Sequence, residues 1–239
     1  TSFSVYPSPK VSDAVVEPYN AELSIHQLLE NSDETFVIDN AALFKISNNI
    51  LKEKQVKYVT LNWVISQVMS GITASLRFPG QLNGDLRKLG VNLVPFPRLH
   101  FFLMGHAPLY SKVDNDEKSK VNLNIQEITK QMWSNDHFLS KVKSEDGKYL
   151  SASCGYRGYN ISSQEVDAEI AKMQQEKDVD DEFVKWIPNN IKTQIIDVGI
   201  SLDDPISGTF IANTTAVKGV FQRIAKQFDK LFRRKAFLH

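Results

Sequence analysis

Five side chains in the first third of the chain have the chemistry that recognition of a purine nucleoside requires. Asp13 and Glu17 lie four residues apart, where a loop leads into a helix, and carboxylates suit ribose hydroxyls. Asn40 lies at the start of a second predicted helix, and its amide offers both a donor and an acceptor. Tyr58 and Asn62 are one helical turn apart, so a ring and an amide share one face. Taken alone, the pattern favours structural roles instead: a turn residue, a helix N-cap at Asn40 and a core pair.

The phosphate end of a nucleotide site has no counterpart in the sequence. A triphosphate needs backbone amides from a glycine-rich turn at a helix N-terminus, usually with Mg²⁺. Neither Gly-x-Gly-x-x-Gly nor Gly-x-x-x-x-Gly-Lys occurs. The 5 histidines lack metal-ligand spacing, and the lone Ser-x-x-Lys at Ser140 has no partner motif. We therefore predict no catalytic residue and no metal site within the chain.

The elements that would position these side chains alternate between strands and helices, which predicts an α/β fold. A strand around Phe3 precedes helices over 17–30 and from Asn40 onward. The remaining predicted elements are helices over 58–76, 125–133, 162–175 and 217–232, and strands over 98–105, 149–156, 192–198 and 209–212. A polar, charge-rich loop over 110–124 is long enough to be functional.

The helix predicted over 58–76 has no charged residue in its nineteen positions. Nineteen residues could cross a bilayer. However, its serine, threonine, asparagine and glutamine side chains would be costly against lipid and are easily satisfied inside a protein. We therefore predict a core helix, buried on every side, and no membrane partner.

Composition narrows the class of protein further. The 28 basic and 28 acidic residues balance, so no polyanionic partner is indicated, and the short run at Arg233 is expected to be a solvated helix end rather than a nucleic-acid patch. Cys154 is the single cysteine, which excludes an internal disulfide and suits a reducing compartment. The chain begins without Met in what reads as a strand, so we expect a segment of something longer.

Several long motifs resemble the tubulin family, and its β subunits in particular. They are Arg77-Phe-Pro-Gly-Gln-Leu-Asn, Asp85-Leu-Arg-Lys-Leu, Asn92-Leu-Val-Pro-Phe-Pro-Arg-Leu-His-Phe-Phe, Trp186-Ile-Pro-Asn-Asn and the closing Phe232-Arg-Arg-Lys-Ala-Phe-Leu-His. Matches also occur from Pro7 to Asn20. The resemblance runs through the whole chain and is weaker between about residues 110 and 148.

The resemblance implies three parts. Residues 1–77 would be the second part of a Rossmann-like GTP-binding domain that ends in the core helix. Residues 78–215 would be an intermediate domain with a mixed sheet flanked by helices. Residues 216–239 would begin a C-terminal helical domain.

The resemblance also implies a guanine nucleotide site for GTP or GDP. Asp13 and Glu17 would contact the ribose, Asn40 and Asn62 would bond the guanine, and Tyr58 would stack on it. The glycine-rich phosphate loop of the family, with its Mg²⁺, lies N-terminal to Thr1, so the 239-residue segment alone is expected to be inactive.

Hydrolysis in the family is completed by the neighbouring subunit. At the position where the α subunit carries a glutamate, this chain has Lys88, which cannot act as a carboxylate base but can stabilise phosphate charge. Lys88 would therefore hold a neighbour's GTP unhydrolysed; a solvated lysine on an amphipathic helix is the structural alternative. The short connection over 197–208 is also β-like.

The implied function is assembly with α-tubulin into microtubules, in the cytoplasm and cytoskeleton, with microtubule-associated proteins and tubulin chaperones as further candidate partners. Two alternatives stay open: a divergent or truncated relative that acts as a non-hydrolysing interaction module, and a bacterial tubulin-like division GTPase. Departures from the β pattern at Trp63, His106, Tyr110 and Lys112 put lateral contacts and taxane-type ligand binding in doubt.

Overall fold

A mixed β-sheet lies at the centre of the molecule in the computed structural model, which describes residues 1–8, 14–53, 55–80, 86–109, 123–176, 182–199 and 206–238. Within these residues the sheet has six strands in the order β1-β2-β3-β6-β4-β5. The strands are β1 (Ser2–Tyr6), β2 (Thr35–Asp39), β3 (Phe101–Ala107), β4 (Tyr149–Gly158), β5 (Ile191–Ile196) and β6 (Ile206–Thr214). The first three are parallel, β6 runs antiparallel to both of its neighbours, and β5 is parallel to β4. The sequence-based α/β class is confirmed.

Eight α-helices lie in the described part of the chain, and they cover the two faces of the sheet. They are α1 (Glu17–Asn31), α2 (Asn40–Asn49), α3 (Tyr58–Ile72), α4 (Ala74–Arg77), α5 (Leu86–Leu93), α6 (Ile125–Met132), α7 (Ser163–Glu176) and α8 (Lys218–Phe232). Successive side chains along a strand point to opposite faces of the sheet, so each strand contributes residues to two hydrophobic cores. In β2, Phe36 and Ile38 pack with α2, α3 and α5, whereas Val37 packs with α1, α6, α7 and α8.

The prediction of a fully buried core helix is half right. Leu61, Val64 and Val68 are buried against the sheet, but Tyr58 and Val59 are exposed. The helix also ends at Ile72 instead of continuing to residue 76. The Thr73 hydroxyl donates to the Met69 carbonyl (2.8 Å), a back-bond that tends to bend helices, and α4 follows as a separate turn.

The start of one strand differs from the prediction for a local reason. The strand expected from Arg98 begins at Phe101, because the Leu99 amide closes a turn on the Phe96 carbonyl. The predicted loop over 110–124 lies outside the described residues except for its last two, and half of the connection over 197–208 lies outside them too.

One continuous sheet links the parts expected to be separate domains, since Thr35 and Phe36 of β2 pair with Phe101 and Phe102 of β3. The divisions at 77/78 and 215/216 stay a prediction. Among the described residues, no helix has both the length and the apolar character to cross a bilayer.

Candidate nucleotide pocket and assembly surface

A pocket of about 400 Å³ opens at the carboxyl ends of the parallel strands β1 and β2. Ligands of open α/β sheets commonly bind at this edge. Its walls come from the end of β1, one side of α1 and the start of α2; the lining residues are Ser4, Val5, Tyr6, Pro7, Glu17, Asn20, Ala21, Ser24, Leu28 and Asn40. The position and mixed polarity suit a small polar ligand with an apolar face.

Two of the predicted nucleotide-binding residues meet in this pocket. Glu17 is the first residue of α1, followed by Pro18, a residue pre-organised for a first helical turn. Asn40 is the first residue of α2. Both are half-buried. A carboxylate can accept hydrogen bonds from hydroxyls, and an amide can pair with a base edge, so the pair fits a nucleoside.

The prediction that Asn40 caps α2 is wrong. The N-cap is Asp39, whose extended backbone (φ −121°, ψ 121°) places its side chain to accept from the Ala41 amide at 3.0 Å. Aspartate is as good a cap as asparagine, so sequence alone could not choose between adjacent candidates. As a result Asn40 is released from capping, and its side chain lines the pocket.

Of the other three predicted residues, the structure describes two, and neither lines that pocket. Asp13 lies outside the described residues. Tyr58 and Asn62 share an exposed face of α3, with Tyr58 60% exposed, and neither is among the residues that line the pocket. Their roles stay predictions.

A buried ion pair behind the pocket was missed by sequence reasoning. Arg223 of α8 brings Nη1 to 2.8 Å from Oδ2 of Asp39, a residue with 0% exposure. Tyr6, the register partner of Asp39 on β1, is also buried and lines the pocket. Burial raises the pKa of Tyr6 well above its usual value. An arginine on an amphipathic helix is ordinary, so nothing in the sequence indicated that Arg223 forms an ion pair.

A second feature is a pair of exposed aromatic side chains, Phe96 and Trp186, that lie close together; with Lys88 and Val91 of the preceding helix α5 they define what we name the α5 surface. Val91, Phe96 and Trp186 are 77%, 52% and 60% exposed. The rings of Phe96 and Trp186 lie 5.9 Å apart. Lys88 and Val91 are three residues apart on α5, so they lie on one face. Clustered exposed aromatic side chains commonly mark protein interfaces.

The histidines of the strand region are buried and structural. His106 places Nδ1 3.1 Å from the Thr209 hydroxyl, and its carbonyl lies 3.0 Å from Nδ1 of His137. Burial, followed by the positive neighbours His137 and Arg157, lowers the pKa of His106 to about 4. Within the described ranges no three His, Cys, Asp or Glu side chains could hold a metal ion.

Comparison with known proteins covers the whole chain. Residues 97–226 match the tubulin C-terminal domain, and residues 1–48 match the GTPase domain of the tubulin/FtsZ family. A tubulin beta-1 chain of Chondrus crispus and a tubulin beta chain of Candida albicans are each 52% identical over 238 residues, covering 100% of this chain and 51% of the relative. A tubulin beta-3 chain of Echinococcus multilocularis is 51% identical over 239 residues, covering 52% of the relative. The chain thus spans about half the length of the curated relatives it matches.

Proposed function

The chain belongs to the tubulin family, and from this membership we propose that it is part of a β-tubulin-like subunit that binds guanine nucleotide and polymerises with α-tubulin into microtubules. The observation that carries the proposal is the pocket at the ends of β1 and β2, because Glu17 and Asn40 meet there. Identity of about half along the entire chain to β-tubulins supports the same reading.

We assign the base and sugar half of a nucleotide site to this chain. Glu17, with Asp13, would accept hydrogen bonds from the ribose hydroxyls. Asn40, with Asn62, would bond the guanine edge, and Tyr58 would stack on the ring. A carboxylate and an amide on one half-buried pocket fit this ligand chemically.

We place the phosphates of GTP or GDP, and their Mg²⁺, beyond the residues described here. Bound Mg²⁺ would neutralise phosphate charge. No acidic cluster in the described part of the chain is suited to hold it. GTPase activity is therefore proposed for the complete subunit.

The α5 surface would contact the next subunit. Two touching aromatic rings that remain half-exposed in the isolated chain would gain by being covered. Lys88, exposed on the same helix face as Val91, would then lie at the neighbour's nucleotide. Lysine cannot act as a carboxylate base, so this face would hold the neighbour's GTP without promoting hydrolysis. We extend the proposal to the cytoplasmic microtubule cytoskeleton, with microtubule-associated proteins and tubulin chaperones as further partners.

Co-assembly with α-tubulin tests the proposal. The full-length protein, purified with α-tubulin, should enter pelletable polymers with GTP and lose them as the nucleotide is hydrolysed. A Lys88→Ala variant should still bind GTP in its own pocket, because Lys88 serves the neighbour's site. Binding of GTP without entry into polymers would favour the interaction-module alternative. Failure to bind GTP would refute the proposal.

A further inference from the structure

We propose that Arg223 of α8 is a positioning residue for guanine recognition: it fixes the Asp39 carboxylate, which sets the first turn of α2 and with it the side chain of Asn40. The inference rests on the proposed function and names a residue outside the pocket that controls base selectivity. Arg223 is 183 positions from Asn40 in the sequence, so only the fold brings the two together.

Asp39 is fixed from three directions. Its backbone amide donates to the Leu139 carbonyl at 2.8 Å. One carboxylate oxygen, Oδ1, accepts from the Ala41 amide at 3.0 Å and so caps α2. The other, Oδ2, lies 2.8 Å from Arg223 Nη1, a close ion-pair contact that does not have hydrogen-bond geometry. The ion pair therefore favours the orientation of the carboxylate in which one oxygen caps the helix.

The pair is poorly suited to a purely stabilising role. Nε and Nη2 of Arg223 are buried and have no hydrogen-bond partner among the described residues. Buried donors without partners carry a desolvation penalty, and buried ion pairs often contribute little net stability. The definite consequence of the contact is geometric, because it holds a fully buried carboxylate in one orientation.

The position of Asn40 depends directly on the orientation of Asp39. It follows Asp39 in the chain, begins α2 and lines the pocket with Glu17. If Arg223 loses its charge, the buried Asp39 carboxylate loses its ion-pair partner and must turn toward water, which disturbs the cap. The Asn40 amide would then be misaligned with the base edge while Glu17, on α1, keeps its place.

The prediction concerns selectivity rather than affinity alone. The full-length subunit, in its complex with α-tubulin, is titrated with GTP and with inosine triphosphate, which lacks the 2-amino group of guanine. Asn40→Ala defines the share of selectivity that Asn40 supplies while Asn62 stays in place, and it is expected to lower the GTP-to-ITP affinity ratio by about 5- to 10-fold, the equivalent of one neutral hydrogen bond. Arg223→Gln should lower the GTP-to-ITP affinity ratio by nearly the same factor. The double variant of Arg223→Gln with Asn40→Ala should show no further change in that ratio.

A double variant that removes both charges should restore the selectivity that Arg223→Gln loses. Asp39→Asn combined with Arg223→Gln removes both charges and keeps an oxygen able to cap α2, so the ratio should return toward the wild-type value. Should Arg223→Gln fail to fold, Arg223→Met, which also removes the charge and keeps an unbranched side chain, replaces it with the same expected direction.

The outcomes separate the two proposals. If the wild type does not prefer GTP, or if Asn40→Ala keeps the wild-type ratio, the proposed base contact fails and the inference with it. If Asn40→Ala lowers the ratio but Arg223→Gln does not, only the inference is overturned. Equal weakening of both nucleotides by Arg223→Gln would mean a merely structural residue and would also overturn it.

Discussion

Truncation of Trp186 should weaken assembly with α-tubulin far more than truncation of an equally exposed aromatic residue elsewhere. Trp186 is 60% exposed and touches Phe96 on the α5 surface, which we propose contacts the neighbouring subunit. Tyr159, 57% exposed in the turn after β4, lies outside that surface and is the matched control.

The size of the effect follows from the exposed area. A tryptophan presents up to about 250 Å², so 60% exposure leaves about 150 Å² to be covered. At about 25 cal/mol per Å², complete coverage would be worth about 4 kcal/mol, an upper limit. Alanine substitution at interface anchors typically costs about 2–4 kcal/mol. We therefore expect the Kd of the complex to rise about 30- to 1,000-fold in Trp186→Ala.

The assay is the dissociation constant of the full-length protein with α-tubulin, measured by sedimentation of a labelled subunit across a dilution series. Tyr159→Ala should change the Kd by less than about threefold, as expected for a residue outside the interface. A Trp186→Ala variant that binds like wild type would refute the assignment of the α5 surface. Equal losses in both variants would refute it too, because they would indicate a general effect of removing exposed aromatic side chains.

Three further predictions concern the stability and reactivity of the full-length protein. Gly105→Ala would place a Cβ 2.4 Å from the Met132 carbonyl oxygen, so we expect a loss of about 1–3 kcal/mol in the free energy of unfolding. The same change at Gly219, on α8 with nothing within 4 Å, should instead be neutral or stabilise by up to about 1 kcal/mol, and urea midpoints that move the same way in both would contradict the packing. Burial lowers the pKa of His106 from 6.5 to about 4. The unfolded chain therefore binds the proton first, and stability should fall as the pH drops from about 6.5 to about 4, by about 3 kcal/mol from this residue. His106→Gln should flatten that part of the stability–pH curve, and an unchanged slope would show that His106 does not titrate this way. Burial raises the pKa of the Cys154 thiol to about 12, so iodoacetamide should modify it only after unfolding; rapid labelling of the native protein would contradict its burial.

Periodicity in the sequence predicted most of the elements, because burial on one or two faces dictates the spacing of apolar residues, but β2 was not predicted. The alternation in β2, with Phe36 and Ile38 on one face and Val37 on the other, reflects helices on both sides of the sheet. The absence of charge in α3 predicted burial, yet Tyr58, Val59 and Met69 are exposed. An uncharged helix need not be enclosed on every side.

Details of the pocket depended on contacts that sequence patterns do not contain. Asp39 and Asn40 are equivalent N-cap candidates on chemical grounds, and only the backbone angles and the distant Arg223 distinguish them. Spacing showed that Tyr58 and Asn62 share a helix face, but not which surface that face meets. Local reasoning therefore predicted two residues, Glu17 and Asn40, that line one pocket, and it missed the ion pair beside Asn40.

The central claim is that a guanine nucleotide binds at the carboxyl ends of β1 and β2. A cryo-electron microscopy map of the full-length protein, assembled with α-tubulin and GTP, tests it most directly. The account predicts density for the ribose beside Glu17 and for the guanine beside Asn40, with the phosphates leading away from this part of the chain. Nucleotide density elsewhere in this subunit, with that pocket empty, would contradict the account.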